Sequence, residues 1–260
     1  MSTITAPPPR TLPIEGGHNL RDLGGYRTQD GRQLKWRTLY RAGALYGLPE
    51  NSRAALRGLG IRAICDLRTP DERAQNPMEW HEGLGIHYYG GVTLNSGAQL
   101  EQTLSGGTAP RDRMRARMLS IYASLPFEQA ASYRHLFALL AAGTVPLLFN
   151  CAAGKDRTGL AAALLLTALG VARETVLEDY LLSNEWAARL RVMMASRHPR
   201  REATFASPEA LAPVLTADAG YLALSFQAIE QNCGGLEAYL AAHLATGPAE
   251  LAQIRAHLLE

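Results

Sequence analysis

A cysteine and an arginine stand six positions apart in the segment Phe149-Asn-Cys-Ala-Ala-Gly-Lys-Asp-Arg-Thr-Gly159. The thiolate of cysteine is a strong nucleophile, and the planar guanidinium of arginine matches two oxygens of a phosphate. Gly154 lets the backbone approach a ligand closely. Ala152, Ala153 and Lys155 complete a loop free of bulky apolar side chains, so its N–H groups can converge on an anion ahead of a helix N-terminus. Cys151 is then placed to attack what residues 152–155 hold, and Arg157 to clamp its oxygens. Thr158 can donate its hydroxyl to the sulfur as it leaves. The rival phosphate loop, Gly-x4-Gly-Lys-Ser/Thr, does not fit, because Phe149 stands at its first glycine and Asp156 at its magnesium-binding hydroxyl.

Flanking elements must position this loop. Val145 to Phe149 predicts a buried strand and Thr158 to Leu169 a buried helix closed by Gly170, which makes residues 151–157 a strand-to-helix turn. Upstream, residues 18–46 predict a β-hairpin region turning at Gln29-Asp30-Gly31. Glu50 to Gly60 predicts a helix, Ile61 to Cys65 a strand ending at Asp66, and Ile86 to Tyr89 another strand. Arg111 to Leu125 and Pro126 to Ala142 predict two amphipathic helices. From residue 158 onward the pattern is helical throughout: 158–169, 172–183, 185–197, 217–232, 235–244 and 247–259. Alternating strands and helices, then helices alone, describe an α/β fold with a helical C-terminal part. At the carboxyl end of its strand, Asp66 lies where ligands gather in such sheets.

The loop, read as Cys151-x2-Gly154-Lys155-Asp156-Arg157-Thr158-Gly159, resembles the signature of the atypical bacterial protein tyrosine phosphatases with a GKDRT loop. Asn19-Leu-Arg-Asp-Leu-Gly-Gly-Tyr26, Leu39-Tyr-Arg-Ala-Gly-Ala44, Ile61-Arg-Ala-Ile-Cys-Asp-Leu-Arg68 and Glu178-Asp-Tyr-Leu-Leu-Ser-Asn184 agree with it in order. The resemblance implies a central, mostly parallel sheet flanked by helices. It also implies a metal- and cofactor-independent phosphomonoesterase that passes through a phosphocysteine. Its partners would be phosphotyrosine proteins, and with them phosphoserine or phosphothreonine proteins and phosphoinositides, toward which Lys155 would add charge. The acid that protonates the leaving alcohol would be Asp156, with Asp66 the other candidate. Asn19, Arg21 and Asp22 would brace or line the site. The family carries histidine before the nucleophile, to organise the loop and support the thiolate; here Asn150 stands in its place.

Composition bounds the rest. At 260 residues, 47% hydrophobic and 19% charged, the chain suits one large domain over 18–260, with residues 185–245 a possible helical lid and the proline-rich residues 1–17 a poorly ordered arm. Cys65, Cys151 and Cys233 form no CxxC pair, so neither a disulfide framework nor a zinc site is expected. That cysteine usage, and an N-terminus lacking an apolar signal core, lead to an expectation of a cytoplasmic protein. No apolar run of about 18 residues is present to span a membrane. A net charge of +2 gives no footprint for nucleic acid. Arg111, Arg113, Arg115 and Arg117, with Arg197, Arg200 and Arg201, are expected on solvated surface. Two other uses of the loop stay open: a silent phosphate-binding module, and a sulfur-transfer or arsenate-reducing enzyme using the same cysteine.

Overall fold

Side chains of a strand alternate between the faces of its sheet, and here both faces are covered. Leu147 and Phe149 belong to one core while Leu148, between them, belongs to the other; Ala63 and Cys65 flank Ile64 in the same way. The computed structural model describes residues 8–92, 111–197 and 208–260. Five short strands, β1 (Arg21–Asp22), β2 (Leu39–Ala42), β3 (Ala63–Asp66), β4 (His87–Gly90) and β5 (Leu147–Asn150), form one sheet in the order β1-β2-β5-β3-β4. Only β1 runs antiparallel to its neighbour; the other pairings are parallel. The chain is an α/β protein with a mostly parallel sheet flanked by helices. The loop strand β5 is central, and Asn150 at its end is level with Ala42 and Asp66 on either side.

Helices α1 (Glu50–Arg57) and α2 (Pro70–Gln75) follow β2 and β3, and α3 (Arg111–Glu128) and α4 (Ala130–Ala141) lead into β5. Beyond it come α5 (Arg157–Leu169), α6 (Arg173–Leu181), a 3-10 turn (Leu182–Trp186), α7 (Ala187–Arg197), α8 (Pro208–Leu215), α9 (Ala219–Cys233), α10 (Leu236–Leu244) and α11 (Pro248–Leu258). The smaller core, on the α1 side, gathers Leu20, Tyr40, Leu56, Ile64, Trp80 and Leu148. The larger is built round α5, whose residues are all buried but Thr167. Gly170 ends that helix in the left-handed region at φ 89°.

One helix runs further than expected and another was not expected. Helix α3 runs through Pro126 to Glu128 rather than ending at Leu125. Pro126 has no N–H to offer the Tyr122 carbonyl, which accepts Ser225 Oγ at 2.6 Å instead, and Gln129 N–H still reaches Leu125 O. Helix α8 was not expected, and it too contains a proline, Pro213. Residues 8–17 lie against the domain, with Leu12 N–H on Leu20 O and Leu12 and Ile14 packed on the smaller core. Residues 1–7, and Arg200 and Arg201, lie outside the described residues. Within 185–245, helices α8, α9 and α10 send Leu211, Val214, Leu222, Ile229 and Leu240 into the larger core. Arg111, Arg113 and Arg115 are exposed on α3.

Candidate active site

The loop between β5 and α5 begins at Cys151, which is almost fully buried, and turns at Gly154 with φ 69°. A Cβ at 154 would lie 2.5 Å from Gly43 N and 2.6 Å from Ala42 C, so this position requires glycine for conformation and for space. The loop carbonyls are tied off from behind. Ala152 O accepts Ala44 N–H at 3.1 Å, and Gly154 O accepts both Arg41 Nη2 and Asn19 Nδ2 at 2.9 Å. With its carbonyls engaged, the loop keeps the N–H groups of residues 152–156 without a partner among the described residues. Carbonyls outward and N–H groups free is the arrangement that binds an anion.

The struts behind the loop are themselves ionic. Asp179 on α6 accepts Arg21 Nε at 3.0 Å and Arg41 Nη1 at 2.5 Å, and all three side chains are buried. Burial opposes the charge of Asp179, but the two guanidinium groups outweigh it and hold the carboxyl well below its ordinary range. Burial, then Arg21, pushes Arg41 down to about 10 against the pull of Asp179. Asn19, held in the left-handed region at φ 52°, accepts from Arg21 Nη1 and so aims its amide at the loop. Arg21 thus lies beneath the loop, acting through Asn19 and Asp179. Asp22 points elsewhere: its two oxygens accept the N–H groups of Gly24 and Arg37, which fixes that turn.

Arg157 opens α5, and one edge of its guanidinium is anchored. Nη1 and Nη2 meet Glu72 Oε2 and Oε1 at 2.6 and 2.7 Å, and Nη1 also reaches Leu67 O at 3.2 Å. The Nε–H and the second Nη2–H form the other fork, and they have no partner among the described residues. Glu72 is also the N3 residue of a capping box with Thr69, so helix α2 sets its position. Burial works against ionising Glu72, yet Arg157 draws its pKa down to about 2. For Arg157, burial is outweighed by Glu72, which raises its pKa above the ordinary value.

The two aspartates differ in what their oxygens do. Asp66 is fully buried, and both of its oxygens are taken: Oδ1 by Arg68 and by Asn150 Nδ2 at 3.1 Å, Oδ2 by Arg68 Nη2 at 2.7 Å and the Tyr88 hydroxyl at 2.8 Å. Asn150 therefore faces Asp66 across the strand pair. Asp156 has its side chain 28% exposed, and only Oδ1 is engaged, by the Tyr122 hydroxyl and Lys155 Nζ. The Lys155 side chain is 2% exposed; its ammonium also meets Thr216 O at 3.2 Å. The Thr158 hydroxyl is buried without a hydrogen-bond partner. Cys65, Cys151 and Cys233 are free thiols, and no group of three or more His, Cys, Asp or Glu gathers to hold a metal among the described residues.

Sequence reasoning assigned no role to Glu72, Arg41, Asp179, Tyr122 or Tyr180. The spacing Thr69-x-x-Glu72 was a readable capping box, and Arg41 inside the apolar strand Leu-Tyr-Arg-Ala signalled a buried charge in need of a partner. The tyrosines gave no signal, being aromatic residues at core positions of helices.

A buried cysteine at a central strand end, a loop with free N–H groups and an arginine opening the next helix are the parts that a phosphate-handling cysteine site requires. The chain belongs to the tyrosine phosphatase family, whose model matches residues 12–260. A Cupriavidus necator protein bearing the name tyrosine-protein phosphatase is 34% identical over 96% of this chain and 92% of its own length. The triple specificity protein phosphatase PtpB of Mycobacterium tuberculosis is 31% identical over 89% of this chain and 92% of its own. The crystal structure of Pseudomonas aeruginosa TpbA aligns with 76% of this chain and 89% of its own at 21% identity and a TM-score of 0.31, a likeness too loose to bear on the site. The protein is thus an enzyme of the protein tyrosine phosphatase type. No helix among the described residues is long and apolar enough to cross a membrane.

Proposed function

We propose that the protein hydrolyses phosphotyrosine in proteins through a phosphocysteine at Cys151. The observation that carries this reading is the loop, opening at Cys151, whose carbonyls are tied to Ala44, Arg41 and Asn19 while its N–H groups have no partner among the described residues. Cys151 attacks phosphorus; the loop amides and the unanchored fork of Arg157 take the equatorial oxygens, on which charge is spread in a loose transition state. Ala152, Ala153 and Gly154 act through their backbone. Thr158, with its free hydroxyl, supports the departing sulfur when water cleaves the intermediate.

We assign the general acid to Asp156 rather than Asp66, because Asp156 retains an oxygen free to carry a proton whereas both oxygens of Asp66 accept bonds. Asp66, Arg21 and Asp22 then act as supports rather than contacts to substrate. Buried and already bonded to two oxygens, Lys155 belongs to the loop's structure on this reading. Lys155→Ala should accordingly lower activity on a phosphotyrosine peptide and on phosphoinositides by similar factors; a loss confined to phosphoinositides would give it a head-group role. The triple specificity name of the mycobacterial relative is the reason to assay phosphoserine, phosphothreonine and phosphoinositide substrates beside phosphotyrosine.

Hydrolysis of p-nitrophenyl phosphate and a phosphotyrosine peptide in EDTA, with the Cys151→Ser variant in parallel, tests the proposal. Metal-independent turnover by the parent and none by the variant is expected. A parent that binds phosphate but never turns over would leave a silent binding module.

A further inference from the structure

Asp156 is held by one oxygen only. Its Oδ1 accepts the Tyr122 hydroxyl at 2.6 Å and Lys155 Nζ at 2.7 Å, and Oδ2 is unbonded among the described residues. Tyr122 comes from α3, and its hydroxyl lies 2.7 Å from that of Tyr180 on α6. A carboxylate can only accept, so Tyr122 donates to Asp156 and Tyr180 donates to Tyr122. Both phenols are buried, and burial followed by the charge of Asp156 pushes Tyr122 well above the ordinary tyrosine value, which keeps the donor protonated.

Resting on the reading of Asp156 as the general acid, we infer that Tyr122 is its positioning residue: the hydroxyl pins Oδ1 to the wall of the site, so that the transferable proton resides on Oδ2 and is presented to the leaving oxygen. Oδ1 already receives two donors, and a proton placed there would confront both, so a proton joining Asp156 goes to Oδ2. Rotation of the carboxyl group would have to break both bonds. Lys155 is the adjacent loop residue and reaches Thr216 O only at 3.2 Å, whereas Tyr122 ties Oδ1 directly to α3 at 2.6 Å. Its carbonyl accepts Ser225 Oγ of α9 at 2.6 Å, and its ring packs on Tyr221 with centroids 5.2 Å apart. In the first step the Cys151 sulfur–phosphorus bond forms, the ester phosphorus–oxygen bond breaks, and the Oδ2 proton passes to the leaving oxygen. In the second, water attacks phosphorus, its proton returns to Oδ2, and the electron pair of the sulfur–phosphorus bond returns to sulfur.

Tyr122→Phe keeps the ring and removes only the hydroxyl. Turnover of phenyl phosphate, whose leaving group needs a proton, is compared with that of p-nitrophenyl phosphate, whose leaving group scarcely does, in the parent and in an Asp156→Asn background. The expected result is a loss of roughly 10–100-fold in kcat on phenyl phosphate with little change in KM, a small loss on p-nitrophenyl phosphate, and no further loss once Asp156 is Asn. Equal losses on both substrates, or a full loss persisting in the Asp156→Asn background, would mean that Tyr122 merely packs, and would overturn the inference. A selective Asp156→Asn with an unselective Tyr122→Phe removes Tyr122 alone; an unselective Asp156→Asn removes the assignment of the acid and the inference with it. Should Tyr122→Phe fail to fold, Tyr180→Phe carries the same comparison, because it weakens the Tyr122 donor without emptying its place.

Discussion

Serine at position 151 would keep the loop's shape and remove its chemistry, because an alcohol beside these groups is far from ionised and no general base adjoins it. Cys151→Ser should therefore keep phosphate binding largely intact and show no turnover; measurable hydrolysis near the parent rate would place the nucleophile elsewhere. Arg157→Lys makes the converse test. An ammonium cannot hold Glu72 with one edge and present a fork with the other, so we expect a loss of roughly 10²–10³ in kcat. A nearly active lysine variant would show that the clamp is not at 157. The selective residue is Asp156: changed to Asn, it should lose about 10²–10⁴ on phenyl phosphate and much less on p-nitrophenyl phosphate. Asp66→Asn should instead cost both substrates alike, by loosening Arg68 and Asn150.

At the scale of elements, the loop is shaped by what lies under it. Asp179→Asn would leave Arg21 and Arg41 buried without their counter-charge, a defect of about 3–5 kcal/mol, and would free the Gly154 carbonyl to turn inward. Thermal unfolding and phosphate affinity should fall together; an unchanged melting temperature would mean that the buried ion cluster is idle. The strand, loop and helix at 145–170 were legible in sequence because apolar runs bounded by special residues leave few alternatives, and the α/β pattern followed from them. Asp179 and Arg41 were not, although both lie in segments noted for resemblance: their roles come from a pairing 138 residues apart, which no local pattern encodes. The same holds for Asp66, legible as a strand-end aspartate but not as one whose oxygens are all spoken for. Helix α3 continuing through Pro126 was hidden for a related reason, since the donor that replaces the proline's missing N–H at the Tyr122 carbonyl, Ser225, is far away in the chain.

Across the whole molecule, the helical half and the sheet meet at the site, with Tyr122 from α3 and the Thr216 carbonyl beyond α8 both reaching the loop aspartate and lysine. The same integration makes stability depend on acid. Glu72 titrates at about 2 in the folded chain against an ordinary 4.5, so its contribution is complete above the higher value and is lost as the pH falls toward the lower. Urea midpoints of the parent should therefore drop more steeply over that interval than those of Glu72→Gln. Parallel curves for the two proteins would show that the Glu72–Arg157 pair adds nothing to folding.

During turnover a phosphoryl group should rest on Cys151. Rapid acid quenching of the enzyme with a phosphotyrosine peptide, followed by peptide mass spectrometry, tests it most directly. One added phosphoryl group is expected on the peptide containing Cys151, more of it when breakdown is slowed by Thr158→Ala, and none in Cys151→Ser. Turnover with that peptide unmodified at every sampled time, or with the phosphoryl group on another residue, would contradict it.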